Sequence, residues 1–235
     1  MEQWPQHQEP VIRLHGSPVS NCYNTVLAAL RHKGLPHEEN HTGASTDAGF
    51  LQLTPMGKIP FITVGELSIS ETSAIVEYLD DRFPEHPPLF PGTLVERARQ
   101  RQMMKFVELY IESPGRRLFP GVFWFMDNEP IHIAEVRPIM ERGLNAVDVL
   151  LKNNRFFYED RLTAADFYSY FSLQLIAHVT LNQYQWNLFK SRPHIARYVN
   201  RVESAPFLQT IVAQRDAAME TYLEKKRQEA EHRGP

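Results

Sequence analysis

The sequence predicts a small mixed α/β domain followed by an all-α domain. Three observations carry this. Short apolar runs alternate with helical patterns through about residue 83. A proline-dense stretch, "PEHPPLFPG" (Pro84–Gly92), follows and reads as a stiff linker. From Thr93 onward the strand signals give way to helical periodicity.

"VIRLHG" (Val11–Gly16) is a strand candidate that ends at Gly16 and Pro18. From Asn21 to Lys33, Tyr23, Val26, Leu27 and Leu30 share one helical face, and "KGLP" stops the helix after a basic last turn. "LPHEENH" reads as an exposed second strand, and "STDAGFLQLTP" as a short helix capped by Ser45 or Thr46 with Pro55 beyond its end. "KIPFITVGELSIS" is a β-hairpin with Gly65 at the turn. "SETSAIVEYLDDRF" is a helix expected to be capped by Ser70, with Ala74, Ile75, Tyr78 and Leu79 as its apolar stripe. Beyond Thr93 five or six helices are expected, one of them opened by "LTAADF", where Thr163 and Asp166 form a capping-box variant. The last helix turns polar all round after Tyr222, so its end is expected to be exposed.

Composition narrows the function classes. The 235 residues are 43% apolar and 23% charged, the ordinary globular range. A net charge of -3 supplies no basic footprint for nucleic acid and no electrostatic membrane anchor. One cysteine permits no internal disulfide, which fits a reducing compartment. "MEQWPQHQEP" has no apolar leader, and no run approaches the roughly 18 apolar residues of a membrane span. A cytoplasmic protein is expected. The ten histidines form no ligand-like cluster, so no metal site is expected, and no nucleophile elbow or phosphate-binding glycine loop is present.

The candidate chemistry sits where strands hand over to helices. In "SPVSNC", Ser20 stands at a helix start, where free backbone N–H groups and the macrodipole favour an anion. On local sequence alone it is either a cap worth about 1 kcal/mol or a donor to an oxyanion, carboxylate or thiolate. Cys22 lies inside the same turn; it is either a thiol with depressed pKa or a small residue on the buried face with Val26 and Ala29. In "MGKIPFI", Pro60 opens a strand, and a cis Ile59–Pro60 bond would turn the Ile59 backbone toward a ligand. In "SETSAI", Glu71 complements a helix dipole, or else takes an ammonium group while Thr72 and the free amides take a carboxylate. The aromatics of "LFPGVFWFM" (Leu118–Met126) and "DFYSYF" (Asp166–Phe171) read as core, with a few available to line an apolar cleft.

With "SPVSNCYNTV", "NHTGASTDAGFLQLTPMGKIPFI", "SETSAIVEYLDDRFP" and "LTAADF" in order, the chain resembles the cytosolic glutathione transferases from about Val11 to Tyr222. The resemblance implies a thioredoxin-like glutathione-binding domain over residues 1–83, a linker over 84–92 and an all-helical substrate-binding domain over 93–235. It also implies glutathione as cosubstrate and a homodimer. Ser20 matches the catalytic serine of the serine-type classes (phi, tau, zeta), while Cys22 lies two residues past the thiol of the cysteine-type classes. Ile59 and Pro60 match the residues at the family's cis-proline, Glu71 and Thr72 its pair for the γ-glutamyl end, and Lys58 a glutathione contact. Where related classes hold the glycyl carboxylate with a basic residue, this chain has Ser45 and Thr46, with His41 nearby, so Cys22, Ser45 and His41 are possible neighbours of the site. The implied activity is attack of the glutathione thiolate on a small hydrophobic electrophile. A glutathione-dependent isomerase, dehalogenase or ether-cleaving enzyme remains open, as does a non-catalytic adaptor of the same fold.

Overall fold

The computed structural model describes residues 11–152 and 161–232. The N-terminal decapeptide read above for a leader lies outside them. The first part runs β1 (Ile12–Gly16), α1 (Asn21–Lys33), β2 (His37–His41), α2 (Ala48–Leu53), β3 (Phe61–Val64), β4 (Leu67–Ser70) and α3 (Thr72–Arg82). The sheet order is β2-β1-β3-β4. β1 pairs parallel with β2 and antiparallel with β3, with Leu14 opposite Ile62, and β3–β4 is the hairpin. This mixed sheet is the thioredoxin-like domain.

Alternation sets the faces. Ile12 and Leu14 are buried while Arg13 is exposed, and the edge strand β2 carries almost entirely exposed polar residues. α1 is buried nearly all round because it packs on β1 and α3 on one side and on helices of the second part on the other. It stops at Gly34, whose N–H bonds the Arg31 carbonyl.

Two caps differ from expectation. The short helix α2 is capped at Asp47 rather than Ser45 or Thr46, since the Ser45 hydroxyl is already bonded to the Asp47 carboxylate (2.7 Å). α3 is capped at Glu71 rather than Ser70, because Ser70 completes β4 opposite Phe61.

The second part comprises α4 (Leu94–Val107), a π-helical turn (Glu108–Glu112), α5 (Ser113–Arg116), α6 (Phe119–Phe123), α7 (Pro130–Lys152), α8 (Ala164–Tyr184), α9 (Leu188–Ser191), α10 (Pro193–Glu203) and α11 (Pro206–Glu231). Five of these are long, and α5, α6 and α9 are single turns. Residues 94–112 do not form one regular helix: the chain widens at Glu108. α7 presses on this wide turn so closely that a Cβ on Gly143 would stand 2.8 Å from the Tyr110 carbonyl oxygen.

The proline-dense stretch is fixed rather than loose. Lys33, 1% exposed, reaches Asp80 (3.4 Å) and the Pro87 carbonyl (3.2 Å). Asp80 accepts from the Leu89 N–H (2.7 Å), and the Leu89 carbonyl accepts from Ala164 N–H (2.9 Å). Leu89 and Phe90 are buried in one hydrophobic cluster that runs from β1 through α11. α8 is central to the helical part. Its start is held by Asp166, which accepts from the N–H and the hydroxyl of Thr163, both at 2.7 Å.

Candidate active site

A cleft of about 600 Å3 opens between the two parts of the molecule. One wall comes from the thioredoxin-like domain: Ser20, Lys58, Ile59, Pro60, Glu71 and Thr72. The opposite wall sets the aromatic side chains of Phe119, Phe123, Trp124, Tyr168 and Tyr222 beside the charged groups of Glu108, Glu112 and Arg116. Among the described residues no group of three or more His, Cys, Asp or Glu is placed to hold a metal ion, and no helix is long and apolar enough to cross a membrane.

Ser20 is the N-cap of α1. Its backbone is extended, and its Oγ accepts from the Tyr23 N–H at 3.3 Å. The cap uses a lone pair and leaves the hydroxyl proton free to donate, so capping and donation are compatible in one side chain. The first amides of α1 open onto the same place.

The Ile59–Pro60 peptide is cis, and both residues line the cleft. The segment before it is gripped by Gly57: at φ +65 its Cα stands so close to the loop that a Cβ would come within 2.4 Å of the Ser45 carbonyl oxygen. Glu71 also has positive φ (+71) with ψ 118, a conformation that costs a residue bearing a Cβ of order 1 kcal/mol or more. That strained turn aims Glu71 and the start of α3 into the cleft, with Thr72 buried beside it.

The structure places the other candidates less centrally. Ala44 lines the cleft, but Ser45 and His41 do not. Ser45 is occupied with Asp47, and His41 faces Glu39 (3.8 Å) and the edge of the Tyr23 ring. Cys22 lines the cleft, yet its thiol sits between Glu112 (3.7 Å) and Arg116 (3.6 Å). Burial, reinforced by the Glu112 carboxylate, pushes it up to about 12, so Cys22 is a protonated thiol at neutral pH.

Two residues escaped sequence reasoning. Glu112, 3% exposed, accepts from the Ser172 hydroxyl and from both Nε (2.9 Å) and Nη2 (2.7 Å) of Arg116. Arg116 Nη2 also donates to Asn21 Oδ1 (2.8 Å), and Asn21 Nδ2 donates to Ser172 Oγ (3.1 Å). The four side chains close a ring that joins the first residue of α1 to the π turn, α5 and α8. A pattern search for solvated charges cannot find it, because the π turn rotates Glu112 inward out of regular helical phase.

Comparison with known proteins agrees with this arrangement. Residues 14–87 match the family model for the glutathione S-transferase N-terminal domain, and residues 101–206 that for the C-terminal domain. A glutathione S-transferase of Pseudomonas putida is 30% identical over 217 residues, covering 91% of this chain and 97% of that protein. Glutathione S-transferase Z1 of Arabidopsis thaliana is 29% identical over 217 residues, covering 88% and 94%. Among solved structures, the glutathione transferase URE2P6 of Phanerochaete chrysosporium, in complex with oxidized glutathione, superposes with a TM-score of 0.75 at 19% identity, over 89% of this chain and 98% of that one. A sheet-and-helix architecture shared over most of the chain, with a serine, a cis-proline and a Glu–Thr turn on one wall of its cleft, accords with these matches: the chain belongs to the glutathione S-transferase family.

Proposed function

We propose that the protein is a serine-type glutathione transferase, with residues 1–83 binding glutathione, 84–92 as linker and 93–235 shaping the electrophile site. The observation that carries this reading is the convergence of Ser20, Ile59–Pro60 and Glu71–Thr72 on one wall of a cleft whose other wall is rich in aromatic side chains.

The donor and acceptor set fits the tripeptide. Glu71 offers a carboxylate to its ammonium group, while Thr72 and the unpaired amides at the start of α3 offer donors to the adjacent carboxylate. Ile59 offers backbone groups to its central peptide, and Lys58 supplies the cation for its glycyl end. Glutathione supplies a thiol that, once ionised, attacks an electrophilic carbon. Ser20 donates its free hydroxyl proton to that sulfur, a charge-assisted bond worth about 1.5–3 kcal/mol. The N-terminus of α1 adds about 0.3–1 kcal/mol. A thiol that titrates near 8.5 in water is thereby brought down by about one to two pH units, which makes much of it thiolate at neutral pH. The reading carries with it a homodimer in the cytoplasm.

The test is Ser20→Ala with reduced glutathione. The pKa of the bound thiol, followed by thiolate absorbance, should rise by about one to two units, and kcat/KM should fall on the order of 10- to 100-fold, while calorimetric affinity for glutathione changes little. An unshifted thiol and unchanged turnover would overturn the assignment of Ser20. No saturable heat with glutathione in the wild type would overturn the transferase reading and favour an adaptor.

A further inference from the structure

The two ends of the thioredoxin-like wall are built differently. At one end Glu71 is fixed by its turn at φ +71, Thr72 is 7% exposed, and the start of α3 has no side-chain cap. At the other end stand Ala44 and Lys58, brought together where the Ser45 N–H bonds the Gly57 carbonyl (3.1 Å). This second end is open to water. Lys58 is exposed, as is every residue of 43–49 but the half-buried Ser45.

A carboxylate placed at the open end meets little that is organised to hold it. Among the described residues of this wall Lys58 is the one cation. Its ammonium has no hydrogen-bond or ion-pair partner among them, so a long, free side chain must be ordered before it serves an anion. An exposed ion pair of this kind changes affinity by up to about fivefold. The neighbouring polar groups are engaged with each other: Ser45 Oγ donates to Asp47 Oδ2 (2.7 Å) and accepts from the Asp47 N–H (3.1 Å). Asp47 also adds negative charge to this rim, at the start of α2. The Glu71–Thr72 end is the stronger one, because a hydrogen bond between a charged group and a partner held in place changes affinity by about 10- to 100-fold.

We propose that the thiol site reads the γ-glutamyl group and the cysteine but not the C-terminus. Its cosubstrates are then γ-glutamylcysteinyl thiols as a class: glutathione, and equally peptides whose C-terminal carboxylate is blocked or displaced by further residues. This rests on the transferase reading above and concerns its thiol, not its electrophile. Ser20 and the cis Ile59–Pro60 segment serve the cysteine, which all these thiols share, so activation of the sulfur is common to them. Added residues run out past the exposed Ala44 and Lys58 into water. Discrimination is concentrated at one end: a thiol without the γ-glutamyl group leaves the Glu71 carboxylate and the Thr72 hydroxyl without their partners.

The test is calorimetry of the full chain with four reduced thiols: glutathione, its glycyl ethyl ester, the lengthened peptide γ-Glu-Cys-Gly-Gly, and cysteinylglycine, which lacks the γ-glutamyl group. The ester and the lengthened peptide should bind less than tenfold more weakly than glutathione, and cysteinylglycine at least 100-fold more weakly. Lys58→Ala, a change at an exposed side chain, should bring glutathione and its ester to equal affinity. Thiolate absorbance should show the same thiol pKa for bound ester as for bound glutathione. A loss of tenfold or more for the ester or the lengthened peptide, or for glutathione on Lys58→Ala, would overturn the proposal and leave the transferase reading standing. Cysteinylglycine binding as well as glutathione would overturn it too. No saturable heat with glutathione or with any of the other three would overturn both.

Discussion

Arg116 Nη2 bonds Asn21 Oδ1 at 2.8 Å, across the boundary between the helical part and the thioredoxin-like domain. Asn21 is the first residue of α1, directly after Ser20, so the guanidinium steadies the helix end that presents the serine. Asn21 is 5% exposed and bonded at both ends of its amide. Asn21→Ala should cost about 1–3 kcal/mol of stability in urea unfolding, because it strands donors and acceptors of Ser172 and Arg116. It should also lower kcat more than it weakens glutathione affinity, measured by calorimetry.

Cys22 should be inert. With its thiol pushed up to about 12, iodoacetamide should leave the native protein unmodified over a time that alkylates the urea-unfolded chain fully. Glu112 raises this thiol and Arg116 lowers it. Glu112→Gln should therefore speed alkylation roughly tenfold at fixed pH and Arg116→Gln should slow it, both measured by mass spectrometry.

Glu71 trades stability for function. Glycine has no Cβ to strain at φ +71, and that relief offsets its larger loss of chain entropy, so Glu71→Gly should leave the thermal midpoint nearly unchanged. The same change removes the carboxylate facing the cleft and should weaken glutathione binding at least tenfold. A parallel loss of stability and affinity would contradict this.

Asp166 should couple folding to pH. Complete burial lifts its carboxyl to about 6, against the hydrogen bonds from Thr163 and Tyr198 that favour the ionised form. A folded-state pKa above the unfolded one means that the native state binds the proton more tightly. Relative to Asp166→Asn, the wild type should therefore gain stability as pH falls from about 6 to about 4, by on the order of 2–3 kcal/mol, and lose it again as pH rises. Paired urea titrations across that range check the sign.

Much of this molecule is legible in its sequence, for identifiable reasons. α1 runs over Asn21–Lys33 as its apolar face and its KGLP stop predict, and the hairpin turns at Gly65 between β3 and β4. These are local signals. The start of α3 lies at Glu71 and not at Ser70, because a serine before a helix looks like a cap whether or not a strand has already taken it. Ser45 and His41 lie near the cleft residues in sequence, but hydrogen bonding with Asp47 and proximity to Glu39 turn them elsewhere. Glu112 and Arg116 were invisible for a different reason. Their importance comes from contacts 60 and 95 residues away, with Ser172 and Asn21, which no local periodicity encodes.

The wide turn at Glu108–Glu112 makes chain length itself part of the site's specification. Such a turn amounts to one surplus residue absorbed without adding a turn. Excising a single residue there would restore regular helical pitch. Because the surplus is absorbed within the turn, the chain from Ser113 onward, Arg116 included, would keep close to its present place. The loss would be felt in the turn alone, the five residues that end in the Glu112 carboxylate of the ring. A one-codon deletion there would thus be a local probe: it removes the widening while leaving the helices on either side where they are.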